Sequence, residues 1–222
     1  MMKMTFNDFK NLFYQPKEEE LRLLNLYRLE NPNNLLEEEF EKIEKEMENK
    51  KENTISDQYL DFKLWYAGFP SREESFAEYL INKLKGRKCT KILNVGCGRK
   101  PVLSEILENE GYEVYNIDPK LEINGRRFFK MKFNYNLNFA EHFDLVIGQE
   151  PCEATEHIIR YCDRKKIPFY IVLCGVPHDS IDGEKFESAE KWYEYLEHLS
   201  ENIEFEYPDL LPIWEQRAIF KM

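Results

Sequence analysis

The fold is decided by the stretch Asn94-Val-Gly-Cys-Gly-Arg-Lys-Pro101. A short apolar strand, residues 91–95, runs into it, and a helix with proline at its first position, residues 101–110, follows it. A second apolar strand, residues 114–117, then ends at Asp118. Strand, glycine turn, helix and strand form a β-α-β unit, and a carboxylate about 20 residues beyond the turn is typical of a nucleotide site.

The alternation of strands and helices continues to the end of the chain. We predict further strands at residues 127–131, 143–147 and 169–173. Helices are predicted at residues 152–165, before the last of these strands, and 184–199, after it. Two extended segments, residues 203–207 and 216–221, have too short a link for a crossover helix, so we expect an antiparallel hairpin at the sheet edge. The predicted fold is α/β: a mostly parallel, Rossmann-like sheet with an antiparallel C-terminal hairpin.

The first 86 residues have a different sequence pattern from the rest of the chain. Helix caps and apolar positions at helical spacing recur there, but the apolar faces are too narrow for an independent core. We therefore expect residues 1–86 to form a helical cap region and residues 87–222 to form the nucleotide-type domain. The last helix of the cap is predicted to begin at a capping box, Ser71 with Glu74, and to bury Phe76.

Composition restricts the partners. The formal net charge of -11 opposes broad adhesion to nucleic-acid backbones or anionic lipid, because those negatively charged surfaces bind proteins with an excess of Lys and Arg. No apolar run of about 18 residues occurs and the start of the chain lacks a signal-peptide core, so we expect a cytoplasmic protein without a membrane partner. The 5 cysteines form no CxxC pair, which predicts reduced thiols.

The glycine turn indicates the kind of ligand. Gly96 and Gly98 let the backbone approach a ligand without Cβ collisions, and Asp118 can accept bonds from two ribose hydroxyls. A dinucleotide site wants a third glycine where the helix start passes a pyrophosphate, and Pro101 stands there. S-adenosylmethionine has no phosphate and fits the two-glycine turn better.

The region from about Ser71 to Met222 resembles the class I S-adenosylmethionine-dependent methyltransferases. The likeness rests on Val95-Gly-Cys-Gly98, Asp118-Pro119, Phe143-Asp-Leu-Val-Ile147 and the C-terminal hairpin. It implies S-adenosylmethionine as cofactor and methyl transfer as activity. The cofactor-binding residues that we expect are Asn94, Gly96, Cys97, Gly98, Asp118, Pro119 and Gln149. Asn94 departs from the family pattern, in which an acidic residue is common at this position.

The methyl acceptor is expected beyond the carboxyl ends of the fourth and fifth strands. Methyl transfer is an in-line displacement on an activated carbon, so alignment contributes most and a base is optional. Glu150 is the first candidate for a proton acceptor, with Glu153 and His178 behind it. A solvent-facing or capping role is the alternative for each.

Two segments, after the fourth and fifth strands, give partial information on the class of methyl acceptor. Cys152-Glu-Ala-Thr-Glu156 and Cys174-Gly-Val-Pro-His178 faintly resemble motifs of tRNA ribose methyltransferases of the His-Leu-Cys-Gly type. The segment Gln149-Glu-Pro-Cys-Glu153 has one proline and no aromatic residue, unlike the enzymes that methylate DNA bases, so DNA is not expected. The acceptor is left as RNA or a small molecule, and basic runs at residues 126–132 and 164–166 are either an RNA contact or a solvated face.

Other functions stay open. Cys152, Cys174 and His178 follow adjacent strands, but three ligands without close spacing are poor evidence for zinc, so the sequence assigns no metal. A nucleotide-dependent oxidoreductase and a non-catalytic S-adenosylmethionine-binding or interaction protein are the alternatives. No pattern indicates an oligomeric state.

Overall fold

The computed structural model describes residues 72–123, 125–208, 210 and 217–222. The chain divides into two compact units, residues 1–75 with 210–214 and residues 76–209 with 215–222. The sheet and the candidate site belong to the second unit. The predicted helices before residue 72, with Ser71 of the capping box, lie outside the described residues. The division between units falls inside a helix, earlier in the chain than the predicted boundary after residue 86.

The described elements alternate as the sequence predicts. The helices are α1 (Arg72–Leu84), α2 (Val102–Asn109), α3 (Thr155–Lys165) and α4 (Ala189–Glu197), and a 3-10 turn (Cys152–Ala154) precedes α3. The strands are β1 (Lys91–Val95), β2 (Glu113–Ile117), β3 (Phe128–Phe129), β4 (Leu145–Gln149), β5 (Phe169–Val172), β6 (Glu204–Glu206) and β7 (Ala218–Lys221).

The seven described strands form one sheet in the order β3-β2-β1-β4-β5-β7-β6. The first five strands in this order are parallel to one another, while β7 pairs antiparallel with both β5 and β6. The predicted α/β Rossmann-like sheet with an antiparallel C-terminal hairpin is confirmed. Parallel pairing puts the carboxyl ends of β1, β2, β4 and β5 at one edge, where ligands bind in open α/β sheets.

The central strands β1, β2, β4 and β5 are mostly apolar and largely buried, as expected for strands covered on both faces. Ile92, Leu93, Val146 and Ile171 have no solvent exposure. The predicted inward position of Phe76 on α1 is confirmed, since this side chain is also fully buried. The central strands therefore form a rigid base for the loops at the carboxyl edge.

Several element boundaries differ from those predicted: β3, β6 and β7 are shorter, and α3 begins at Thr155 after the 3-10 turn. For two other boundaries, side-chain hydrogen bonds explain the difference. β4 begins at Leu145 and not at residue 143, because the carboxylate of Asp144 accepts bonds from the Thr90 and Lys91 amides, both at 2.9 Å. α4 begins at Ala189 and not at residue 184, because the Ser188 hydroxyl caps it by accepting a bond from the Lys191 amide. Among the described residues, no helix has the length and apolarity needed to cross a bilayer.

Candidate functional site

The two glycines of the turn after β1 have different surroundings. Gly96 has a φ of +74°, its amide donates to the Ile117 carbonyl at 3.0 Å, and an added Cβ would lie 3.0 Å from Pro151 Cα. Gly98 has a φ of +73°, and an added Cβ there would meet nothing within 4 Å. Gly96 is therefore required by close packing, whereas Gly98 faces open space in front of the turn.

Asp118 follows β2 and is bonded to the glycine turn. Its side chain is buried; one oxygen accepts from the Gly98 amide at 3.0 Å and the other accepts from the Lys120 amide at 2.6 Å. A carboxylate has about four acceptor sites, so both oxygens keep capacity for further donors. The carboxylate is thus fixed in orientation beside the open face of Gly98.

Asn94 lies beneath the turn in a buried polar network. Its side-chain amide donates to the Ser104 hydroxyl at 3.0 Å, and that hydroxyl donates to the Asn116 side-chain oxygen at 2.5 Å. The network joins β1, β2 and α2. Ser104 and Asn116 are additional site residues that sequence patterns did not bring out, although Asn94 and Asn116 are polar residues in neighbouring apolar strands and are directly in register.

The remaining predicted cofactor residues lie around this turn. Cys97 is partly buried, and burial, with the charge of Asp118 adding to it, raises the pKa of its thiol to about 12. The Cys97 thiol is therefore neutral at physiological pH and unsuited to be a nucleophile. Pro119 is exposed directly after Asp118, and Gln149 is the last residue of β4, at the same sheet edge.

A strained turn after β4 packs against the glycine turn. Glu150 and Cys152 have φ values of +51° and +50°, and the buried Pro151 lies between them. The Glu150 amide donates to the Val172 carbonyl at 2.9 Å, and a Cβ on Gly148 would lie 2.9 Å from Pro151 Cγ. A left-handed conformation costs a non-glycine residue about 1–2 kcal/mol, and such residues cluster at functional sites.

The three candidate proton acceptors differ in position. Glu150 is partly buried in the strained turn, and His178 follows β5 at the same sheet edge. Glu153 has a side chain that is 83% exposed and pairs with Lys132 at 3.6 Å. The structure therefore brings Glu150 and His178 to the predicted edge and leaves Glu153 in solvent.

Cys152, Cys174 and His178 converge. Their sulfur and ring-nitrogen atoms all lie within 4.8 Å of one another, and Cys174 Sγ is 3.1 Å from His178 Nε2. The neighbouring Cys152 thiol, together with His178 and against the effect of burial, lowers the pKa of Cys174. The neighbouring Cys174 in turn raises the pKa of Cys152, whose thiol lies 3.2 Å from the Glu150 carbonyl oxygen. We refer to these three residues as the Cys-Cys-His cluster.

Glu156 supports the loop that carries His178. It is 1% exposed and accepts bonds from Arg160 Nε at 2.6 Å, the Tyr195 hydroxyl at 2.8 Å and the Ile181 amide at 2.8 Å. The sequence gives no sign of this role, because Glu156 and Arg160 have the spacing of an ordinary surface ion pair on a helix.

Two arginines of the basic runs form contacts with other residues of the same chain. Arg127 pairs with Glu108 at 2.7 Å, and Arg164 donates to the carbonyls of Tyr135 and Leu137 at 2.6 and 2.9 Å. These contacts favour a structural role for both arginines over a role in binding RNA.

Comparisons with known proteins give only distant likenesses. No family model matches, and no curated protein matches. A S-adenosylmethionine-dependent methyltransferase from Clostridium acetobutylicum is 13% identical with a TM-score of 0.46, covering 73% of this chain and 96% of its own. The plantazolicin methyltransferase BpumL, solved with a triazolic desmethylPZN analog and SAH, is 16% identical with a TM-score of 0.43, covering 68% and 84%.

A third structure, the methyltransferase domain of bacterial CtHen1-CN, is 12% identical with a TM-score of 0.44, covering 68% of this chain and 100% of its own. None of these three is described as a tRNA ribose methyltransferase, so that faint likeness has no support here. At such identities and TM-scores the likenesses do not decide the activity. The fold assignment depends on the strand order.

The residues around the glycine turn fit S-adenosylmethionine. The Asp118 carboxylate is oriented and keeps the acceptor capacity that ribose hydroxyls require, and Gly98 leaves open space beside it. Pro101 has no amide hydrogen and is buried at the cap of α2, so the helix start has one donor fewer for a phosphate. The donor set suits a nucleoside without phosphate.

Proposed function

We propose that this protein is an S-adenosylmethionine-dependent methyltransferase whose acceptor is RNA or a small molecule. One observation carries the proposal: Asp118 is held by backbone amides on both oxygens beside the open face of Gly98. This geometry presents a charged acceptor pair to a ribose at the carboxyl edge of the sheet, where nucleoside ligands bind in this kind of fold.

The sheet favours methyl transfer over nucleotide-dependent oxidation. The usual dinucleotide sheet has the order 3-2-1-4-5-6 with parallel strands. Here the antiparallel β7 lies between β5 and β6, which is the hairpin that the class I methyltransferase resemblance implies. Pro101 in place of the third glycine weakens a pyrophosphate site further.

The chain's own residues would bind and align the reactants. When bound, S-adenosylmethionine would supply a methyl carbon activated by a sulfonium: an acceptor lone pair bonds to that carbon as the carbon–sulfur bond breaks, and S-adenosylhomocysteine is the leaving group. Asp118 would hold the ribose, and the backbone of Gly96 and Gly98 would pass close to the nucleoside. Glu150, in the strained turn beside the glycine turn, would take a proton from a hydroxyl or protonated amine acceptor. His178 is a less available base, because Cys174 occupies one of its ring nitrogens.

Calorimetric titration of the full chain tests the proposal, with S-adenosylmethionine, S-adenosylhomocysteine and NAD in parallel. We expect binding of the first two and no heat from NAD. Preferential binding of NAD would support the oxidoreductase alternative. No heat of binding from any of the three compounds would overturn the cofactor assignment.

A second assay separates catalysis from binding alone. Incubation with methyl-labelled S-adenosylmethionine and either RNA or a small-molecule extract should transfer label to one of the two pools. Binding without transfer to either pool would favour the non-catalytic alternative. Fractionation of a cell would test the expected cytoplasmic location.

A further inference from the structure

The Cys-Cys-His cluster is built from two loops that leave neighbouring parallel strands. Cys152 follows β4, while Cys174 and His178 follow β5, and β4 and β5 are hydrogen-bonded along their length. The two cysteines are free thiols, and the three donor atoms lie within 4.8 Å of one another. Residues 22 and 26 positions apart in the chain are thus brought to one point by the sheet.

The spacing of the donors approximates that of zinc ligands. Zinc binds sulfur at about 2.3 Å and imidazole nitrogen at about 2.0–2.1 Å, so a tetrahedral ion places its ligand atoms about 3.5–3.8 Å apart. The Cys174 Sγ to His178 Nε2 distance of 3.1 Å lies below this range, and the limit of 4.8 Å for the whole cluster lies above it. Shifts of less than an ångström in flexible side chains would reach it.

The chemistry of the donors also suits zinc. Two thiolates and one imidazole are ligand types that zinc prefers over the hard oxygen-binding cations. Cys152 is exposed, which provides a path for an ion, while Cys174 and His178 are partly buried. The loop after His178 is fixed by the bond from the Ile181 amide to Glu156, so one side of the cluster is ordered before any metal binds.

We propose that Cys152, Cys174 and His178 bind one Zn²⁺ ion through two sulfur atoms and Nε2, with a fourth position open to water or another exogenous donor. Three protein ligands with an open position is the arrangement of catalytic and not of structural zinc sites. The proposal goes beyond the proposed function and does not depend on it, since zinc binding requires neither S-adenosylmethionine nor an acceptor.

A disulfide between Cys152 and Cys174 is the competing use of the same sulfur atoms. His178 distinguishes the two, because a disulfide needs no imidazole, whereas a zinc site uses the Nε2 atom that lies 3.1 Å from Cys174 Sγ. The test is therefore made on the reduced protein, with a phosphine reductant that does not supply thiols.

The experiment is a zinc titration of the full chain, stripped of metal with a chelator and dialysed. Competition with a chromophoric chelator should give one tight equivalent of Zn²⁺. Addition of Co²⁺ should give the visible bands of tetrahedral cobalt and a thiolate-to-metal charge-transfer band in the near ultraviolet. We expect Cys174→Ser and His178→Ala each to lower zinc affinity by more than about a hundredfold, beyond the loss typical of outer-shell partners.

Cys89→Ser is the matched control, because Cys89 is a partly buried free cysteine outside the cluster. It should leave affinity and spectrum unchanged, and circular dichroism should show that all variants fold. Absence of the cobalt charge-transfer band in the wild-type protein would overturn the proposal without reference to any variant. Equal loss of affinity in Cys89→Ser, or a fully reduced protein with free Cys152 and Cys174 thiols that does not bind zinc, would overturn it as well.

Discussion

Replacement of Asp118 by alanine is the most direct perturbation of the candidate cofactor site. The change removes a buried carboxylate that accepts bonds from the amides of Gly98 and Lys120 at 3.0 and 2.6 Å. If the same oxygens bind ribose hydroxyls, each lost charge-assisted bond is worth about 1.5–3 kcal/mol. Even one such bond corresponds to at least about a tenfold loss of S-adenosylmethionine affinity.

The same variant should also lower stability, because two backbone amides lose their partner. That loss is about 1–3 kcal/mol. Asp118→Asn separates the two roles: it keeps the size of the side chain and one acceptor oxygen. It should therefore cost less stability than alanine and still weaken binding by about tenfold, since the charge is gone.

Asp144→Ala is the matched control. Asp144 also accepts bonds from two backbone amides, those of Thr90 and Lys91, but it precedes β4 and so lies at the opposite edge of the sheet. Calorimetry and urea unfolding on the three variants give affinity and stability separately. Asp144→Ala should lose stability and keep full affinity. Unchanged affinity in both Asp118 variants, or an equal loss in Asp144→Ala, would refute the assignment of Asp118 to the ribose.

Two further changes test the supports of the site, and a pH series on the Asp144→Ala control tests the hydrogen bonds of Asp144. Gly96→Ala should lose about 1–3 kcal/mol more free energy of unfolding than the control Gly111→Ala. Both glycines have positive φ, but only at Gly96 would an added Cβ meet a close neighbour. Equal losses in urea unfolding would argue against the close packing. Glu156→Gln should lower stability by about 1–3 kcal/mol, because Glu156 is buried and accepts several hydrogen bonds. The control Glu153→Gln should change stability little, because this side chain is exposed. Thermal melts that rank the two variants otherwise would contradict this. Burial raises the pKa of Asp144, but the bonds that it accepts outweigh this and hold the pKa below its ordinary value. Its stabilisation is therefore present above pH about 4 and is lost as pH falls further, so the wild-type advantage over Asp144→Ala should shrink only in acid; a constant gap across a pH series would contradict this.

The sheet could be predicted because its strands are continuous apolar runs separated by turn residues. The antiparallel end was predictable for a different reason, namely a link too short for a crossover helix. The start of β4 was less predictable, because it depends on a polar side chain: the Asp144 carboxylate accepts bonds from the amides of Thr90 and of Lys91, the first residue of β1, and β4 begins only after Asp144. No pattern of apolar residues reports such a bond.

The candidate site was predictable where the backbone alone defines it. Gly96 and Gly98 have the positive φ that their glycine identity suggests, and Asp118 lies beside them. The role of Asn94 beside the cofactor stays a prediction; what the sequence does not report is that its side chain bonds to Ser104 beneath the turn. The convergence of the Cys-Cys-His cluster was open from sequence, because it depends on the pairing of β4 with β5 and on the path of two loops.

The turn at Pro151 links the two parts of this edge. It carries two non-glycine residues at positive φ, Glu150 and Cys152, and a relaxed turn would avoid a cost of about 1–2 kcal/mol at each. Packing of Pro151 against Gly96 and Gly148 and the bond from the Glu150 amide to β5 offset that cost. The turn places the candidate base and the exposed cysteine of the proposed zinc site on either side of a proline packed against the glycine turn. Because packing only offsets the strain, we infer that the turn is kept for the position that it gives to these two side chains.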